Sequence, residues 1–423
     1  MRRFHQSLAL ATCLYISLTL MACTGGGDEG PTCSFDNPAT VASSSPWPKF
    51  RRDAANTGTI PLEDASAFDV LTAPAANKQA RVFPAGDPKG LFSASPVISD
   101  DGGIVYIGSN DATLYAINVA DWTQELAFNL ITAQPISAAA LVAKRSGIDA
   151  IFAGSIDGRL YGVDADSVPQ ATNWPFNPGP PIDKAPNLGS DGTVYTGSSG
   201  GFFFGVCPNG VIRFSISLGD VTPTAIGPDG TVYIAADDLQ LRAFRNDGLA
   251  RWSVSASQPI SAAPVVDATG ETTTAIYVAD GGGRVYKIDK DGRPVSGFHF
   301  AGGSAIHSSP ALADGILYFG SDDGSIHAIA TSSGDEIPGW PIHTDGAVLS
   351  SPAVAVFANE RVIVVGSDDG GLYFVHDDGS ATPTVARYDI GSAVRSSPAI
   401  GFDGSVYVGA EDGRVYAITS SIE

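Results

Sequence analysis

The sequence predicts an all-β fold, an eight-bladed β-propeller of four-stranded antiparallel blades closed into a ring by an N-terminal strand. Three observations predict it. The first is a unit seen most clearly over residues 308–329, where Ser-Ser-Pro-Ala-Leu, Ile-Leu-Tyr-Phe-Gly and Ser-Ile-His-Ala-Ile are separated by Asp314-Gly315 and Asp323-Gly324. Short apolar runs punctuated by Asp-Gly read as a meander of hairpins, because that turn favours positive φ at both central positions. The second is recurrence: aligned on the first-strand proline, the copies fall at Pro96, Ala140, Pro186, Pro223, Pro264, Pro310, Pro352 and Pro398. The mean spacing is about 43 residues, in the range of propeller blades built from short strands. The third is a deficit in the last copy, which ends at Glu423 without the fourth apolar segment that follows the other seven.

In chain order, residues 1–22 read as an export signal to be excluded from the fold. Arg2 and Arg3 form a positive start, residues 7–20 are apolar, and Leu20-Met21-Ala22-Cys23 closes the segment. Fourteen apolar residues are too few for a spanning helix, which needs about 20. The Leu-x-small-Cys ending resembles a bacterial lipoprotein signal, which implies lipidation of Cys23 and a membrane-tethered, exported chain. Residues 23–46, with Gly25-Gly26-Gly27 and Ser43-Ser44-Ser45, read as a flexible stalk. Of the four cysteines, Cys13 leaves with the signal and Cys23 takes the lipid, so Cys33 and Cys207 are the pair that an oxidising compartment would allow to bond. Sequence does not fix whether they do.

Residues 47–423 form the propeller domain. Its opening, Trp47-Pro48-Lys49-Phe50 followed by Asp53 and Asn56-Thr57-Gly58, resembles the lead-in of the pyrroloquinoline-quinone-like (PQQ-like) repeat propellers. The Ser-Pro-Ala and Tyr-x-Gly-Ser-x-Asp-Gly-x-Leu-Tyr-Ala-Ile units are similar to that family's repeat and extend to the C-terminus. The fourth strands are expected around residues 122–128, Trp174-Pro175-Phe176, 213–216, 251–254, 298–300, Trp340-Pro341-Ile342 and 388–390. The missing eighth is expected from about residues 80–85, centred on Arg81-Val82-Phe83-Pro84, so that no sheet edge is left open. Repeats three and four carry Gly200-Gly201-Phe202 and Asp237-Asp238-Leu239 in place of the usual turn, and the least regular blades are expected there.

Composition narrows function. The net charge is −21, from 24 basic and 45 acidic residues, and fourteen of the acids belong to Asp-Gly pairs. About a third of the acidity is therefore turn chemistry. No basic stripe exists to neutralise phosphates, so nucleic-acid binding is not expected. The ring's binding face is expected where the inner strands begin. Three positions before each aligned proline lie Ser93, Ser137, Asp183, Asp220, Ser261, His307, Leu349 and Arg395, with Lys184 beside Asp183. Asp183, Lys184, Asp220, His307 and Arg395 are the candidate ligand-binding residues, set as a mixed-charge ring around one axis.

The family resemblance also implies an enzymatic alternative, a quinoprotein oxidoreductase using PQQ and calcium. Such enzymes carry vicinal cysteines, a tryptophan under the quinone, an Asp base and a Glu/Asn/Asp calcium set. Here no two cysteines are adjacent, and the inner strands carry neither a tryptophan nor such an acidic set. No catalytic residue, metal site or cofactor is assigned. The histidines lack a short ligand spacing, and His327 occupies the place held by Tyr115, Tyr161 and Tyr416 in other repeats, as a packing residue would. The Ser-Ser-Pro units are strand sequence rather than nucleophile elbows. The expectation is a non-catalytic, monomeric envelope lipoprotein, facing the periplasm from the outer membrane or standing at the cell surface. Its propeller would hold a protein partner or surface ligand.

Overall fold

The protein is described by a computed structural model covering residues 40, 41, 49, 52, 53, 56–84, 90–125, 130–145, 148–165, 174–358 and 360–420. The chain divides into two units, Met1–Thr32 and Cys33–Glu423, and the described residues all belong to the second. The signal segment 1–22, Cys23 and Cys33 lie outside them.

Eight small sheets, each a meander from an inner strand outward, make up the fold. Blade 6 is representative: Ala311–Ala313, Ile316–Gly320, Ser325–Ala330 and Ile342–His343 pair antiparallel in that order. The two middle strands are apolar on both faces because each blade is covered by two neighbours. Leu317, Tyr318, Phe319, Ile326, Ala328 and Ile329 are all buried.

Closure occurs as the strand deficit implies. Lys78–Phe83 pairs antiparallel with Val415–Ser420, with Arg81 opposite Ala417 and Phe83 opposite Val415. The last blade thus takes its outer strand from the chain's beginning, and the ring has no unpaired end.

The turn chemistry differs from a simple two-residue hairpin. Only Asp314-Gly315 has positive φ at both positions, at 47° and 77°. In most other turns glycine alone is left-handed, and the aspartate instead accepts the amide of the residue two places on, as Asp191 does from Thr193 and Asp412 from Arg414. Aspartate is selected as an Asx acceptor rather than for its tolerance of positive φ. In four blades the same carboxylate also accepts a tyrosine hydroxyl from four residues later, at Tyr115, Tyr161, Tyr373 and Tyr416.

The Ser-Ser-Pro units join the blades. The first serine exchanges hydrogen bonds with the second-strand glycine, Ser308 with Gly320 and Ser396 with Gly409. The second accepts the amide of the preceding inner strand. Ala263 donates to Ser309, Ser309 to Ser351, Ser351 to Ser397 and Ser397 to Ser95, at 2.9–3.0 Å. These serines are consumed by architecture, as expected of strand sequence.

Several strands fall elsewhere than expected. The fourth strand of blade 1 is Leu130–Ile131 rather than 122–128. Trp122, with φ at 60°, instead turns its ring onto Tyr407 of blade 8, 5.8 Å away. The fourth strands of blades 5 and 6 begin later, at Phe300 and Ile342, because Phe298 and Trp340 pack on Tyr277 and Tyr318 ahead of them. Blades 3 and 4 are complete sheets, each with one bulge in its outer pair, and Gly201 and Leu239 supply the positive φ of their altered turns. The least regular outer edge is in blade 2, where Phe176 meets Leu160 through an isolated bridge.

An unanticipated helix, Ala65–Thr72, is capped by Asp64, which accepts the Ser66 amide. It packs on blades 7 and 8, and Lys78 donates to its terminal carbonyls at Val70 and Leu71. Cys207 is disulfide-bonded, and every other cysteine of the chain lies outside the described residues.

Candidate functional site

The axis of the ring has two unlike ends. At the end reached by the inner strands, the chain's own N-terminal segment crosses from one side to the other. Thr40–Val41 pairs with Ala143 and Lys144 of blade 2, inside the stretch read as stalk. Lys49 bridges to Leu141 of the same blade. The Asn56 amide group donates to the carbonyls of Thr224 in blade 4 and Pro264 in blade 5. The Thr57 carbonyl accepts from Leu312 in blade 6, and Thr59–Pro61 runs parallel to the inner strand of blade 7, Ala353–Phe357. In an eight-blade ring, blades 2 and 6 are opposite, so these contacts reach across the axis.

Lys49 and Asn56, 2% and 1% exposed, anchor those contacts. The Lys49 ammonium donates to the Asn56 side-chain oxygen and the Asp53 carbonyl, each at 2.6 Å. A buried ammonium needs such acceptors, since an unpaired one would carry a desolvation penalty on the order of several kcal/mol. The Asp53 carboxylate in turn accepts the Thr57 amide. Among the described residues, the lead-in motif is thus bound across the axis as a plug, and the start of the inner strands forms the mouth.

The five candidate residues all sit at that mouth, as three separate knots rather than one mixed ring. In the first, Lys184 of blade 3 lies 2.9 Å from Asp220 of blade 4 and 3.8 Å from Asp183, which accepts the Ser199 amide. Asp237 joins by accepting the Asp220 amide. In the second, His307 of blade 6 contacts the Ser261 hydroxyl of blade 5 at 2.6 Å and Asp322 at 3.5 Å. In the third, Arg395 of blade 8 donates through Nε and Nη2 to both oxygens of Asp368 in blade 7, and through Nη1 to Glu411. Its hydrogen bonds to Asp368 raise the guanidinium pKa further, so Arg395 is fixed as a cation.

Five of these partners, Asp237, Ser261, Asp322, Asp368 and Glu411, are not among the candidate residues. Four of the five share one address, the residue after the second strand's Gly-Ser or its equivalent. Its amide donates to a carbonyl at the start of the same blade's inner strand, as Asp322 does to Ala305 and Glu411 to Ala393. The repeat alignment contains that signal, since a position fixed beside the ring in one blade is fixed beside it in all. Among the described residues, these three knots carry six carboxylates against two permanent cations.

His327 behaves as a packing residue. It is 7% exposed, stacks on Phe319 at 5.1 Å, and places its two ring nitrogens against Glu336 and Ser321.

The residues do not fit a quinone with calcium. The four described tryptophans pack against aromatic rings of the sheets: Trp122 on Tyr407, Trp174 on Phe152, Trp252 on Tyr233 and Trp340 on Tyr318. None is left to floor a planar cofactor. Cys207 is the only described cysteine, and among the described residues no group of three His, Cys, Asp or Glu side chains has metal-binding geometry.

The chain is a closed ring of eight small sheets, a β-propeller, whose last third matches a family of PQQ-like repeat propellers. Residues 281–421 match the family described as outer membrane protein assembly factor BamB. No curated protein sequence matches the chain. Among solved structures it is similar to a europium-containing methanol dehydrogenase, at 14% identity over 90% of this chain and 99% of that one, with a TM-score of 0.67. The quinohemoprotein alcohol dehydrogenase of Comamonas testosteroni is 14% identical over 90% and 81% of the two chains, with a TM-score of 0.64. The computationally designed Ika8 protein is 17% identical over 79% and 100%, with a TM-score of 0.60. At these identities the likeness is one of fold.

Proposed function

We propose that this protein is an exported binding propeller, held at the bacterial cell envelope by a lipid on Cys23, that engages a protein partner or surface ligand at its open mouth. The observation that carries this reading is the contrast between the two ends of the axis. One is crossed by contacts of Lys49, Asn56 and residues 57–61, while the other presents charged side chains already fixed by contacts between blades. Side chains held this way lose little further entropy on binding, which favours recognition by a rigid surface. The carboxylate excess favours a partner that presents basic groups there, through complementarity of potential. The match of residues 281–421 to a family described as an assembly factor supports a role in holding proteins.

The test is affinity capture from native envelopes with wild type and with Asp183→Asn, Asp220→Asn and Arg395→Gln combined. Exposed ion pairs contribute about 0–1 kcal/mol each, so the melting temperature should barely change while capture is lost. A large fall in melting temperature, or unchanged capture, would count against the mouth.

The alternative that the repeat's family resemblance implies is a quinoprotein oxidoreductase. Adding PQQ and calcium and following dye reduction separates the two. Turnover of about 1 per second or more would establish the enzyme.

A further inference from the structure

We propose that Ser261, His307 and Asp322 form a nucleophilic triad at the seam of blades 5 and 6, and that the mouth hydrolyses carboxylic esters there. The three residues come from strand starts and turns far apart in sequence. The Ser261 Oγ is 2.6 Å from His307 Nδ1, and the other ring nitrogen, Nε2, is 3.5 Å from Asp322 Oδ2. An imidazole with its proton on Nε2, facing the carboxylate, presents an acceptor at Nδ1 to the serine hydroxyl. That is the order of roles a serine hydrolase requires, with the two ring nitrogens exchanged.

Three further features bear on Ser261. It is exposed, whereas the Ser-Ser-Pro serines are buried in the contacts between blades. The residue after the second strand in its own blade is Gly281, at the address where other blades carry Asn110, Asp322, Asp368 or Glu411. A Cβ placed on Gly281 would meet only the Pro259 carbonyl, at 3.4 Å, so the space beside the hydroxyl is open. Finally, the amides of Ser261 and of the next residue, Ala262, donate to no acceptor among the described residues. Two free N–H groups on and after a nucleophile are the donors an oxyanion needs.

The chemistry balances with water as the only co-reactant. The Ser261 Oγ attacks the ester carbonyl carbon as its proton passes to His307 Nδ1, and the oxyanion is met by the two amides. The bond to the alcohol oxygen breaks, and the imidazolium returns the proton to the departing alcohol. Water then attacks the acyl-serine, with His307 again taking and returning a proton, to release the carboxylic acid and restore the hydroxyl. Asp322 is a positioning residue that holds the ring's orientation and tautomer.

The test uses the full chain with p-nitrophenyl acetate, together with a fluorophosphonate label located by peptide mass mapping. Wild type should hydrolyse the ester faster than buffer and take up one label, on Ser261. Ser261→Ala should lose both. His307→Gln should lower kcat by about 100-fold or more, the usual contribution of a general base. Asp322→Asn should lower kcat with KM unchanged and alter the pH–rate profile, and Asp322→Glu should restore part of the loss. All four variants should melt with wild type, since these side chains are exposed or half-exposed. Hydrolysis unchanged in Ser261→Ala, or a wild type that takes up no label at Ser261, would overturn the proposal.

Discussion

Ring closure puts a specific load on Phe83, the last residue of the closing strand. Phe83 is 7% exposed, stands opposite Val415 in the final blade, and sets its ring edge-on to Tyr115 of blade 1 at a centroid distance of 5.6 Å. It therefore stitches the last blade to the first at the seam where the chain's two ends meet. Truncating a buried phenylalanine to alanine costs about 3–5 kcal/mol through lost transfer energy and the cavity left behind. The aromatic pair with Tyr115 contributes about 0.5–1.5 kcal/mol of its own, which places Phe83→Ala toward the upper end of that range. Phe402 belongs to the same blade but is 50% exposed in a turn, so Phe402→Ala should cost less than about 0.5 kcal/mol. Urea denaturation followed by tryptophan fluorescence reads both variants against wild type through the midpoint and slope. If Phe83→Ala shifts the midpoint no more than Phe402→Ala does, the closing strand is not what holds the ring.

Burial pushes the Lys78 ammonium down to about 8, against about 10.4 in an unfolded chain. Between those values the unfolded state binds more protons, so stability should rise with pH across that window in wild type but not in Lys78→Met. Differencing the two curves cancels the tyrosines, and parallel curves would contradict the burial of Lys78. A methyl group on Gly320 would lie 2.2 Å from Val348 Cγ1 and 2.5 Å from its carbonyl oxygen, so Gly320→Ala should destabilise by about 1–3 kcal/mol, as overpacking does. A melting temperature equal to wild type would refute that contact between blades. Non-reducing peptide mapping should find the Cys207 peptide bonded to that of Cys33, and a free thiol at Cys207 would contradict the disulfide.

Architecture was legible because a propeller repeats one local rule eight times. The aligned prolines, the Asp-Gly turns and the absent eighth fourth strand together implied the blade count and the donor of the last strand. Turn geometry was less legible, because Asp-Gly is compatible both with a tight two-residue hairpin and with a longer Asx turn. Only the pairing register separates Asp314-Gly315 from the rest. The fourth strands of blades 1, 5 and 6 were misplaced because the aromatic that marks each segment packs between blades ahead of the strand it announces. The plug was not readable, since the carbonyls that Asn56 meets lie in blades 4 and 5, 168 and 208 residues on, and no local pattern announces them.

At the mouth, alignment put Asp183, Asp220, His307 and Arg395 at one repeat position, with Lys184 beside it. It could not show that each is already engaged, because their partners come from a different strand and in some cases another blade. Nor could it show Ser261 as a nucleophile, since blades 1, 2 and 5 all carry a serine at this repeat position. What differs is the neighbour: His307 in the next blade and the empty side chain of Gly281.

The mouth as the working face is tested most directly by hydrogen exchange on wild type, alone and with its captured partner. The account predicts slowed exchange in peptides covering residues 183–184, 220, 237 and 395, with the plug at residues 56–61 unchanged. Protection confined to the plug or to the outer strands of the blades would contradict it.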